Sequence, residues 1–152
     1  MPSPIRNAQK SFPIFLPLLV SAIIILFWLI PLAAMSLRGK GSGAGIWGLF
    51  EIIALLATII APIVYGWKTC DSKGAVIIGV LPFLFAMTVP RVVSGDLLPG
   101  TPSVVNTVLY IAVLCILGGL EGYFASLHGK KFLGIALVLA GAWFWFFLTG
   151  ID

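Results

Sequence analysis

Five apolar runs, broken only by short connections that hold most of the charges, dominate this chain and leave little freedom in its fold. They are Phe12 to Leu37, Ile46 to Trp67, Ala75 to about Val93, Val104 to Leu127 and Phe132 to Thr149. At about 1.5 Å of rise per residue, roughly 20 helical residues cover a hydrocarbon core about 30 Å thick. Backbone N–H and C=O groups find no partners in lipid, so runs of this kind cross it as helices. The expected fold class is all-α: a polytopic integral membrane protein, a bundle of five transmembrane helices with short loops, in one domain over 1–152. With 61% hydrophobic and 9% charged residues, the chain lies far from the composition of a soluble domain.

The first run follows Arg6 and Lys10, as a secretory signal would. Its length exceeds the roughly 7 to 15 apolar residues of a signal core, and Ala33 and Ala34 make no clean small-x-small cleavage site, so it reads as a retained span. Pro31 is positioned to kink or end it. The third run is the weakest, because Pro82 interrupts it and Pro90 with Arg91 close it. The run admits a short or broken helix there, and its continuity stays open at this point. Trp47, Trp67, Trp143 and Trp145 fall near predicted helix ends, as an interfacial aromatic belt does, and Trp28 lies deeper.

Nine Lys and Arg residues against five Asp and Glu give a net charge of +4, but the basic residues are scattered in ones and twos at the ends of apolar runs. That distribution suits lipid headgroups and offers no nucleic-acid surface. Arg6, Lys10, Lys68, Lys73, Lys130 and Lys131 fall on one side of a five-span topology, and Arg38, Lys40 and Arg91 on the other. Six against three predicts a cytoplasmic N-terminus and an opposite C-terminus, in a cell membrane.

Motifs that carry chemistry are scarce. The connection Arg38 to Gly45 has four glycines and a lysine but lacks the GxxxxGK[ST] order of a phosphate-binding loop, and reads as a flexible connector. Pro99, Gly100 and Pro102 mark turns in the connection Val92 to Ser103, where Asp96 lies near Arg91. Cys70 sits at a membrane surface and Cys115 near the middle of a span, about 15 Å or more apart in depth, so no disulfide is expected. His128 is the sole histidine, no Cys/His spacing suits a metal, and no cofactor is implied. Beside Lys130 and Lys131 it reads as an interfacial residue, with proton transfer as the alternative.

Glu51 and Glu121 stand out because each lies within an apolar run, where a charge is costly and commonly functional. At 100° per residue, Glu51, Thr58 and Tyr65 share one face of the second helix. Thr107, Tyr110, Leu114, Gly118, Glu121 and His128 share one face of the fourth, flanked by a small-residue stripe of Gly118, Gly122 and Ser126 suited to close helix packing. The glutamates differ by roughly 16 Å in depth, which excludes a shared carboxylate site. Tyr110 matches the depth of Glu51, and Tyr65 that of Glu121, so each phenol is a candidate donor to a glutamate. The alternative is that each glutamate reaches water or headgroups and carries no function.

Three functional readings follow. The foremost is a small membrane subunit or assembly partner whose neighbours are the lipid bilayer and other membrane proteins or copies of itself. The next is a transporter or channel for protons, ions or a small solute that uses the glutamates as separate stations. An intramembrane enzyme ranks last, since no nucleophile or metal accompanies a candidate base.

Overall fold

The computed structural model describes residues 14–38, 44–94 and 104–150, side chains at 32, 34–38, 44–47 and 94 excepted. The N-terminal basic residues, the glycines at 39, 41 and 43, the turns at 99–102 and the Trp47 side chain therefore lie outside the described residues. Every regular element described is helical: α1 (Phe15–Arg38), α2 (Ala44–Thr69), α3 (Ser72–Ser94), α4 (Val104–Ser126) and α5 (Lys130–Thr149). Helices α2 to α5 are long and apolar enough to cross a membrane, whereas the apolar stretch Phe15–Pro31 of α1 is shorter. Among the described residues the architecture is a membrane-type helical bundle with four helices of spanning length.

The third run does not break: α3 is one helix with Pro82 and Pro90 inside it. Proline removes one backbone hydrogen bond, but the surrounding bundle holds the helix together on either side. Pro82 is itself fully buried, so its ring packs inward. Pro31 likewise lies inside α1 and Pro62 inside α2, both fully buried.

Helix α4 packs on α2, α3 and α5, while α1 rests against α2 and α3. Glycine makes the α3–α4 contact possible. A Cβ built on Gly79 would overlap the Gly118 carbonyl oxygen, and one on Gly118 would overlap the Gly79 carbonyl oxygen. Lower on the same seam, a Cβ on Gly122 would lie 2.5 Å from the Ala75 oxygen, and one on Gly66 of α2 2.9 Å from the Gly122 oxygen. Gly118 and Gly122 thus lie at this contact, and Ser126 is buried with its hydroxyl donating to the Tyr123 carbonyl. The partners of these two glycines are backbones, which is what small-xxx-small spacing permits.

Beyond this seam the interior is filled by rings. Trp143 stacks on Phe147 at 5.4 Å, Phe83 meets Trp143 edge-on at 5.1 Å, and Trp28 reaches Phe147 at 6.4 Å. Trp143 therefore belongs to the core, being 1% exposed, and not to the interfacial belt expected for it. Nearness to a helix end fixed its depth but not its side of the helix. The Trp28 Nε1–H donates to Thr58 Oγ1 at 3.2 Å, and that hydroxyl donates to the Ala54 carbonyl at 2.8 Å. Replacing Thr58 by valine keeps the shape and strands the indole N–H, so thermal unfolding in detergent should show a loss of about 1–2 kcal/mol. An unchanged melting temperature would remove this bond from the forces that hold α1 on α2.

Candidate functional site

The two glutamates have opposite fates. Glu121 is buried, 1% exposed, and its Oε1 has no hydrogen-bond partner among the described residues. It sits on the α4 face that carries Leu114, Gly118, Gly122 and Ala125, all buried, and α5 adds buried Ala136 and Ala140. Small residues bring these helices together and leave the long Glu121 side chain inside the bundle.

Glu51 is exposed near the start of α2, on the helix face that further along carries Thr58 and Tyr65. This corrects the expectation of one polar seam through Glu51, Thr58 and Tyr65. Thr58 and Tyr65 are buried as that seam requires, whereas Glu51 is left exposed among the described residues, although Phe27 of α1 reaches Phe50 beside it at 6.0 Å. A Cβ added to nearby Gly48 would meet no atom within 4 Å. Periodicity sets the azimuth of a residue and leaves open how far a neighbouring helix extends along that face.

Neither phenol is bonded to a glutamate. Tyr65 donates to Asp71 Oδ2 at 3.0 Å, bridging the end of α2 to the turn that follows. Tyr110 donates to the Phe147 carbonyl at 3.1 Å and ties the start of α4 to the end of α5. Depth matching placed the rings at the right level, but nearer acceptors exist at both ends. Ser21 of α1 supplies a second buried oxygen without a partner among the described residues. It lies one turn from Ile24, which packs with Tyr65, Ala75 and Ile78. Because Gly122 abuts Ala75, the level of Glu121 falls in this same half of the bundle.

At the lysine-bearing end the structure reveals a contact that sequence reasoning missed. Cys70 Sγ lies 3.3 Å from His128 Nδ1, although 58 residues separate them. His128 also stacks on Trp67 with ring centres 4.9 Å apart and planes 15° apart. Both Cys70 (φ 55°) and His128 (φ 48°) adopt the left-handed conformation common just past helix C-termini. One signal was available. Helices α2 and α4 cross in the same direction, so residues just beyond their ends emerge on the same surface. His128 accordingly leaves the face of α4 it was expected to share, because α4 ends at Ser126. Cys70 and Cys115 are both free thiols.

These geometries describe two distinct places, an interior carboxyl and a surface thiol–imidazole pair. Compared with known proteins, the chain matches no protein-family model, no curated protein and no solved structure. The chemistry therefore rests on the residues themselves.

Proposed function

We propose that this chain is a multi-pass membrane subunit that acts by lateral association, with five spans, a cytoplasmic N-terminus and a place in the cell membrane. One observation carries the reading: Glu51 is exposed near the start of α2, on the helix face that further along carries buried Thr58 and Tyr65. A carboxyl group in that position is costly in hydrocarbon, and a neighbouring transmembrane helix bearing Lys, Arg or a hydroxyl or amide donor at the same depth would satisfy it. Among the described residues no atom would meet a Cβ on Gly48, one turn away, which leaves room for such a helix. The orientation draws support from Lys68, Lys73, Lys130 and Lys131, which cluster at one end of the bundle with the Cys70–His128 contact.

Extraction in mild detergent, followed by measurement of the mass of the native particle, tests the proposal. The wild-type chain should travel with a stoichiometric second subunit or copy, and Glu51→Leu should release it. A monomer of identical mass for both proteins sinks the reading.

Glu121 favours a second reading, a protonatable station for a proton or cation inside the bundle. Only one of the two stations expected from the sequence is internal, so the path would depend on Glu121 alone. In sealed vesicles, a pH-driven or cation-driven flux abolished by Glu121→Gln and retained by Glu51→Gln would support transport.

A further inference from the structure

We propose that Cys70 and His128 form a nucleophile–base pair at the membrane surface that accepts a fatty acyl group from a long-chain acyl thioester. The 3.3 Å approach of Sγ to Nδ1 is within reach for a proton to pass from thiol to imidazole. The imidazole is held in place on its other side by the Trp67 ring. Both side chains are exposed, so an electrophile can reach the sulfur.

The surroundings select the class of electrophile. Cys115 lies in the interior of α4, roughly 16 Å below the end of that helix by its rise per residue. The chain thus has no second thiol within reach of Cys70, and internal disulfide chemistry lacks a resolving partner. Exposed Lys68 of α2, Lys73 of α3 and Lys130 and Lys131 of α5 ring this end and suit a donor carrying phosphate groups. Asp71, the acidic group in the same turn, receives the Tyr65 hydroxyl. Below Cys70 the exposed side chains Leu56, Ile60 and Val64 form an apolar stripe on α2, against which an acyl chain anchored at the surface can lie.

The step balances without an oxidant or reductant. His128 takes the thiol proton as Sγ attacks the thioester carbonyl; the bond from that carbon to the donor sulfur breaks, and the departing thiolate receives the proton from His128. The products are an S-acyl Cys70 and a free thiol. The thioester class is shared by carrier-bound and coenzyme-bound acyl groups, and the pair on this chain treats the carbonyl identically in both.

The full-length protein in lipid nanodiscs, incubated with palmitoyl-coenzyme A, provides the test. The expected result is a single acyl group, released by neutral hydroxylamine and mapped by mass spectrometry to Cys70, with none on Cys70→Ser. His128→Asn should slow acylation at pH 7 by on the order of 100-fold. Free imidazole should restore part of the rate to His128→Ala, which a purely structural histidine would not permit. Label found mainly on Cys115, or equal rates for wild type and His128→Asn at pH 7, would overturn the proposal.

Discussion

Substituting Gly79 by valine should force α3 away from α4 and cost the bundle about 3 kcal/mol or more, read as a large drop in melting temperature in detergent. The expectation is large because the obstruction is backbone. A Cβ at Gly79 overlaps the Gly118 carbonyl oxygen and lies 2.7 Å from its carbon, and neither atom can swing aside as the tip of a side chain can. Alanine at the same position already introduces this clash, so it should share most of the loss. Gly134 and Gly141 of α5 supply the control, since a Cβ on either meets nothing within 4 Å. Alanine there should be neutral or stabilise the helix by up to about 1 kcal/mol, in line with the propensity difference. Equal sensitivity at Gly79 and Gly134 would mean that close α3–α4 approach does not hold the fold.

Replacing Glu121 by leucine is expected to raise stability by about 1–3 kcal/mol while removing whatever the carboxyl does. Leucine fills much of the same space and eliminates a buried oxygen that has no partner among the described residues. Glutamine leaves two polar atoms in the same place and should not match that gain. A gain in melting temperature together with loss of assembly or flux would identify Glu121 as a group retained for function at the expense of stability. A large loss of stability in Glu121→Leu would instead make the carboxyl part of the structural framework.

The class of fold is legible in the sequence because hydrocarbon thickness dictates run length, and among the described residues four helices of spanning length coincide with expected runs to within a few residues. Their ends moved by a few residues; α5, for example, begins at Lys130, with Gly129 before it at φ 149° in a conformation that favours glycine. The glycine stripe on α4 was legible too, since small residues at a spacing of four have one main use in a bundle. Azimuth was less informative. Glu51, Thr58 and Tyr65 share a face, but burial depends on where α1 and its neighbours end, which no single helix encodes. Phenol partners were missed for a related reason: depth is one coordinate, and the acceptors taken by Tyr65 and Tyr110 are a turn residue and a backbone carbonyl. The Cys70–His128 contact required two connections to be seen as neighbours.

The aromatic packing around Phe83, Trp143, Phe147 and Trp28 bears on how Glu121 can be approached. Those rings fill the interior on the side of Gly118 that leads toward Arg91, whereas Glu121 lies on the side that leads toward the lysines. Among the described residues these rings stand between Glu121 and the Arg91 end of the bundle. If Glu121 serves transport, net passage toward that end would require the rings to part.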